Sequence, residues 1–131
     1  MQHKSPCIVQ AVLVCDAGVK DPSGKTTLYG IFDTILSKSF PARYPQFAIF
    51  WKCIFETKGE MFVALEKPGG DFLVSLDKIV VDESKLGSAE GIYQLVGVEI
   101  PHPGQYKVSL FFNNKKVFSV PLTVKQIGEG R

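Results

Sequence analysis

Two histidines, three cysteines and one tryptophan are all that this chain of 131 residues offers from the types that most often build metal and redox sites. His3 lies at the N-terminus, and His102 is wedged between Pro101 and Pro103. Neither has a cysteine, histidine or carboxylate at ligand spacing, and a zinc or non-haem iron site needs several such donors converging. No metal and no other cofactor is therefore expected. Cys7, Cys15 and Cys53 stand in apolar runs, odd in number and without a CxxC pair. Free, buried thiols in a reducing cytoplasm fit that pattern better than a disulfide framework. They read as core fillers, because a reactive thiolate needs an electropositive, partly exposed setting.

Charge of one sign is lacking too. Fifteen basic residues against thirteen acidic ones leave a net charge of +2, and Lys115-Lys116 is the sole adjacent basic pair. Without a basic stripe to follow phosphates, nucleic acid is not an expected partner. No apolar run reaches the ~18 residues of a membrane-spanning helix, so no membrane partner is expected either. Lys4 followed by Cys7–Cys15 has the outline of a short lipoprotein signal. Gln10 interrupts its apolar core, and Val14 stands where cleavage wants a small residue. The expected location is the cytoplasm.

Also missing is any 3.6-residue apolar period long enough for a helix; alternation with a period of two fills the chain instead. Cys7–Cys15 reads as a strand covered on both faces and ending at Asp16-Ala17-Gly18. A turn-rich connector, Lys20–Gly24, leads to a strand over Thr26–Ile35, in which Gly30 signals a bulge or a close backbone approach. Two prolines make Ser39–Pro45 a crossing loop, with Phe40 tucked under the body of the fold. Phe47, Ile49, Trp51, Cys53 and Phe55 then form one uninterrupted apolar face. Met61, Val63 and Leu65 form another, with Phe62 out of pattern, and parity sets Leu65 opposite Phe72 across a turn at Lys67–Gly70. Val81–Ser88 has room for one short helical turn, and Ile92–Ile100 reads as a further strand.

The last hairpin pairs Tyr106, Val108, Leu110 and Phe112 with Phe118, Val120, Leu122 and Val124. Its faces coincide if the loop is Asn113-Asn114-Lys115, with Asn114 or Lys115 in the left-handed region. Pro121 cannot donate to a ladder, so it belongs at an edge or a bulge. Hydrophobic residues make up 45% and charged residues 21%, ordinary values for a globular chain about one domain long. The expectation is a single domain over residues 1–131, with 1–6 and 126–131 as frayed tails. It is all-β: one antiparallel β-sandwich of about eight strands with immunoglobulin-like proportions.

Gly24-Lys25-Thr26 has the look of the end of a phosphate-binding loop. The first glycine of that motif would have to be residue 19, which is Val19, and Pro22 removes an N–H from the cradle. The next residues, Leu28-Tyr29-Gly30-Ile31-Phe32, are strand-like rather than helical, so the segment reads as a hairpin turn. No Gly-x-Ser-x-Gly elbow occurs. Asp16 and Asp33 each end an apolar run, and capping of the next turn is the ordinary role of such residues. A hydrolase would have to assemble Asp16, Asp33 and His102 within hydrogen-bond reach of a substrate.

Leu13-Val14-Cys15-Asp16, Gly24-Lys25 with Leu28 and Gly30-Ile31-Phe32-Asp33, and Phe40-Pro41 together resemble a family of short uncharacterised bacterial β-sandwich proteins. Pro103-Gly104-Gln105-Tyr106 and Pro121–Val124 match its closing strands, so the resemblance spans nearly the whole chain. It implies a single β-sandwich domain, and it carries no catalytic, cofactor-binding or metal-binding residue.

Function is thus expected to lie in contacts rather than catalysis. The even face of the third strand places Lys52 between Phe50 and Ile54. If open, that face is a surface for a protein partner or for a homo-oligomer; if covered, it is ordinary core. A small-ligand or carbohydrate-binding module using Tyr44 and Trp51 is the alternative. On this reading Lys25→Ala leaves stability unchanged in denaturant unfolding. Phe32→Ala costs about 3–5 kcal/mol if that side chain faces the core.

Overall fold

The computed structural model describes residues 6–128. The strands in chain order are β1 (Cys7–Lys20), β2 (Thr26–Phe32), β3 (Thr34–Ser37), β4 (Ala42–Phe55), β5 (Gly59–Glu66), β6 (Phe72–Ser75), β7 (Ile79–Val81), β8 (Gly87–Ile100), β9 (Gly104–Phe112) and β10 (Lys115–Gln126). One 3-10 turn, Glu83–Lys85, falls where the sequence leaves room for a short helical turn, N-capped by the Asp82 carboxylate. The first sheet has the order β2-β1-β4-β8 and the second β3-β10-β9-β5-β6, with β7 also on β5. The fold is therefore an all-β sandwich of ten strands among the described residues, two more than the period-two count suggests.

Burying apolar surface between the two sheets supplies the driving force. The odd residues of β4 from Phe47 to Phe55 meet Met61, Val63 and Leu65 of β5 and Tyr106, Val108, Leu110 and Phe112 of β9 in one continuous core. Phe40 packs against its rim from the loop before β4, as the sequence suggests. At the β8–β9 corner the Tyr106 hydroxyl donates to the His102 carbonyl at 2.7 Å. This is the tyrosine-corner arrangement of Greek-key sandwiches, and it gives Pro103-Gly104-Gln105-Tyr106 a structural meaning.

The Gly24-Lys25-Thr26 segment is a hairpin turn. Asp21 closes it, accepting from the Lys25 N–H at 2.9 Å and the Ser23 hydroxyl at 2.6 Å, while Gly24 sits at φ +90°. Gly30 takes φ +65°, and a Cβ there would overlap the Asp16 carboxylate. After Phe32 the chain leaves the first sheet and joins the second with a single residue, Asp33, between. The Asp33 carbonyl accepts from the Thr123 N–H at 2.8 Å, and β3 runs parallel to β10. Phe32 is half-buried, against Tyr44 and Phe47 with ring centroids 5.8 and 6.4 Å away. Its truncation should therefore fall below the cost of a fully buried phenylalanine.

Several boundaries differ from those that alternation suggests. β1 does not stop at Asp16; with β2 it forms a two-stranded ribbon paired out to Lys20 and Thr26. β4 begins at Ala42, inside the expected crossing loop, and runs through Pro45. The proline is tolerated because β1 reaches β4 only from Ala48 onward, so one side of β4 is free there. Pro121 likewise lies where β10 has no partner opposite β9, since β3 covers only Thr123–Gln126. The closing loop has two residues, with Asn113 at φ 51° and Asn114 at φ 64°. A register shift between Lys116 and Phe118 restores the parity that a three-residue loop would have supplied. Gln126 belongs to β10, and the Ile127 N–H bonds the Ser37 carbonyl at 2.9 Å. At the other end the Pro6 carbonyl accepts from the Glu56 N–H at 3.0 Å, and of the expected tails 1–5 and 129–131 lie outside the described residues.

Tyr106→Phe should keep the fold and lower unfolding free energy by about 1 kcal/mol, the usual worth of one such bond, read from the denaturant midpoint.

Candidate functional site

Phe50, Lys52 and Ile54 do share the outer side of β4, but that side is not an open apolar patch. Phe50 is only 7% exposed, flanked by its cross-strand partners Leu13 and Ile92. The ribbon of β1 and β2 doubles back there: Gly18 lies so close that a Cβ would sit 2.7 Å from Ile92 Cδ1, and the Thr26 hydroxyl bonds the Glu90 carboxylate. Lys52 is half-buried and engaged by Glu90 at 3.6 Å and the Ser88 hydroxyl at 3.1 Å. Ile54 is half-buried beside Ile8.

Trp51 is 3% exposed inside the core, and Tyr44 packs on Phe47 at 5.5 Å between centroids. Asp16 lies against Gly30, Asp33 bonds the neighbouring Thr34 hydroxyl at 2.9 Å, and the His102 ring nitrogen faces the Pro103 carbonyl at 3.1 Å. No hydrogen bond or ion pair among the described residues links any two of these three. No group of three His, Cys, Asp or Glu residues among them could hold a metal ion. All three cysteines are buried and free. The adjoining Cys7 and burial together push the Cys53 thiol up, and burial does the same for Cys15.

Between the free edges of β1 and β10 lies a cleft of about 350 Å³ lined by Val12, Val14, Phe32, Asp33, Val120 and Pro121. Asp33 is its one ionisable group, so paired acid–base chemistry has no second member there.

The outer face of the second sheet is different. Phe62, the residue that breaks alternation on β5, and Phe111 of β9 stand opposite each other in register and stack at 4.7 Å with planes 4° apart. With Ala64 they make a small second core facing away from the first. Phe72 completes it, edge-on to both rings at 6.0 and 5.5 Å, yet 45% exposed. Its position corrects the expected pairing: a register shift between Leu65 and Glu66 sets Phe72 opposite Glu66 and Val74 opposite Leu65. One residue of slip moves a side chain to the other face of a sheet. Each such aromatic pair is worth about 0.5–1.5 kcal/mol beyond its buried area.

Two cations flank this cluster. The Lys78 and Lys116 ammonium groups each lie 5.9 Å from a ring centroid, over Phe62 and Phe111 respectively. Lys116 also reaches the buried Glu66 carboxylate at 2.8 Å, which the Ser109 hydroxyl bonds as well. Burial raises the Glu66 pKa, but the hydrogen bonds from Lys116 and Ser109 and the charges of Lys116 and Lys107 outweigh it. The carboxyl is held below its ordinary value. Beyond Glu66 opens a polar pocket of about 310 Å³, bounded by the Lys67–Gly70 turn, Gln105, Lys107 and Lys116.

Fold and site together define a small all-β sandwich with a phenylalanine cluster on one outer face, flanked by Lys78 and Lys116. The chain belongs to a family of unknown function, DUF6941, over residues 10–125. No curated protein matches it. It is similar in fold to the Pseudomonas fluorescens alkylpurine DNA glycosylase AlkC bound to DNA containing an abasic site analog, at 9% identity and a TM-score of 0.50. That likeness covers 92% of this chain and 31% of the other, and at such identity it shows the fold alone. No helix among the described residues is long and apolar enough to cross a membrane.

The depressed Glu66 pKa fixes the sign of a pH effect. The contribution is fully present above the unfolded value, 4.5, and is lost as pH falls through the folded value. The stability gap between wild type and Glu66→Gln should therefore narrow on acidification below about pH 4.5, followed by denaturant midpoints across pH.

Proposed function

We propose that this chain is a non-enzymatic binding module that holds an acidic protein partner against the outer face of its second sheet. The observation that carries this reading is Phe72, a large apolar side chain 45% exposed on a ready-made aromatic stack that Lys78 and Lys116 flank. Exposed aromatics backed by a rigid platform lose little entropy on binding, and apolar patches rimmed by polar groups mark interaction surfaces. Lys67, Lys78, Lys107 and Lys116 favour an acidic partner by charge complementarity. A symmetric contact between two copies through this face would set those cations against one another, which argues against self-association here. Overall charge of +2 gives no general attraction to nucleic acid, and the DNA-bound glycosylase contributes a fold, not a partner.

Three buried, unpaired thiols support a reducing, cytoplasmic setting. The tyrosine corner and the parallel β3–β10 pair support an immunoglobulin-like classification of the sandwich.

The test is a titration of 15N-labelled protein with a synthetic peptide combining phenylalanine and glutamates, beside its glutamine counterpart. Amide shifts should concentrate at Phe72, Lys78, Lys107 and Lys116, weaken with added salt, and vanish in Phe72→Ser with the rest of the spectrum intact. Shifts centred on the Tyr29–Ile31 ribbon, or equal responses to both peptides, would overturn the proposal.

A further inference from the structure

We propose that the pocket beside Glu66 is a binding site for a phosphate monoester dianion. Its lining holds three lysines, Lys67, Lys107 and Lys116, and one carboxylate, Glu66. Lys116 is engaged by that carboxylate at 2.8 Å, whereas Lys67 and Lys107 form no ion pair among the described residues. Two positive charges are left uncompensated, which matches the charge of about −1.5 to −2 on a phosphate monoester at pH 7. Arg43, the one arginine among the described residues, does not line the pocket, so an anion there meets ammonium groups rather than a planar guanidinium fork. Lysines act as point charges and suit the three-fold array of phosphate oxygens.

The pocket is built before any ligand arrives. The turn on its far side is closed by the Lys67 N–H to the Asp71 carbonyl at 2.7 Å and the Gly70 N–H to the Lys67 carbonyl at 2.9 Å. Pro68 rests on Gly104 so tightly that a Cβ on Gly104 would sit 2.7 Å from its ring, which pins the turn to the start of β9. Gly69 and Gly70 take φ +100° and +107°, and nothing lies within 4 Å of where their side chains would begin. An oxyanion can thus approach the backbone of the turn without a side chain in the way. The Gln105 carboxamide is oriented by the Thr123 hydroxyl, which donates to its oxygen at 3.0 Å, and by its own NH2, which donates to the Tyr106 carbonyl at 3.4 Å and keeps its second hydrogen for a ligand. About 310 Å³ is ample for a phosphoryl group and the first atoms of what carries it.

Lys116 touches both the pocket, through Glu66, and the aromatic cluster, through Phe111. That shared residue makes a phosphorylated side chain on the acidic partner the occupant that uses both features; this step rests on the function proposed above. A free phosphate ester has the same chemistry, and the experiment separates the two sources.

Wild type, Lys67→Ala/Lys107→Ala and a charge-matched control, Lys20→Ala/Lys25→Ala, are each titrated with inorganic phosphate. They are then titrated with the acidic phenylalanine peptide carrying serine or phosphoserine. Phosphate should shift the Gly69 and Gly70 amides saturably in wild type and control, and at least tenfold more weakly in the pocket variant. Phosphoserine should tighten the peptide at least tenfold, again only while Lys67 and Lys107 are present. Saturable phosphate binding without a phosphoserine gain assigns the site to free phosphate esters. Equal losses in pocket variant and control, or no response at Gly69 and Gly70, overturn the pocket. In that event a Phe72-dependent response to the unphosphorylated peptide would leave the function itself standing.

Discussion

The apolar face that β4 presents to β5 and β9 is the constraint on which the other layers depend. Phe47, Ile49, Trp51, Cys53 and Phe55 lie on one side of a strand whose side chains alternate, so the strand has no freedom of register once that face is buried. Everything to either side must then adapt. β1 and β8 take their pairing from β4, and β5 and β9 take their facing from it. The tyrosine corner holds the start of β9 at the right height by tying Tyr106 to the chain just upstream. Such a core leaves little tolerance for a mispaired strand, and the molecule absorbs its mismatches at the margins instead, through register shifts in β1, β6 and β10.

Those margins are also where the sequence is least legible. Alternation over Phe47–Phe55, Met61–Leu65 and Tyr106–Phe112 identifies the core face correctly, because a fully buried face admits one parity. Rejecting the nucleotide-loop look of Gly24-Lys25-Thr26 needs only the strand-like residues after it, and Gly30 announces the backbone kink by its type. Where one side of a strand is free, local rules fail. Pro45 reads as a strand breaker until β1 is seen to end short of it, and Asp16 reads as a stop until the ribbon is seen to carry on without core support. Phe72 reads as a core residue because a one-residue shift at Leu65 leaves no mark on an alternation that looks intact on both sides. Phe62 is visible as a departure from pattern, whereas Phe111 passes as one more member of the outward set with Lys107 and Ser109. That they meet on neighbouring strands depends on pairing that alternation within one strand does not encode.

The outer surfaces of the two sheets show what such departures do. On the first sheet the apolar outer residues of β4 are satisfied internally, by Leu13, Ile92 and the returning ribbon, so Phe50 contributes to stability and not to an exposed surface. On the second sheet no ribbon returns, and Phe62 and Phe111 are covered by each other and by Phe72. The burial of Glu66 beside them is costly unless its charge is met, and Lys116 and Ser109 meet it. That ion pair fixes Lys116 at the boundary between an apolar cluster and a polar pocket. It converts a flexible surface lysine into a placed one.

A core that places these strands can be satisfied by very different sequences, as 9% identity to a glycosylase of much greater length makes plain. Likeness at that level is produced by alternation, turn residues and a packed interior, and those demands are met without reference to function. The residues that the sandwich itself does not require are therefore the informative ones. No sandwich needs a stacked phenylalanine pair outside its core, an exposed phenylalanine across both rings, or a carboxylate buried beneath a lysine on its outer face. Each costs something in solubility or desolvation, and all three occur within one connected patch on β5, β6, β9 and β10. Their coincidence sets the outer face of the second sheet apart from the even face of the core strand β4, and it is the ground on which a partner is proposed for the former.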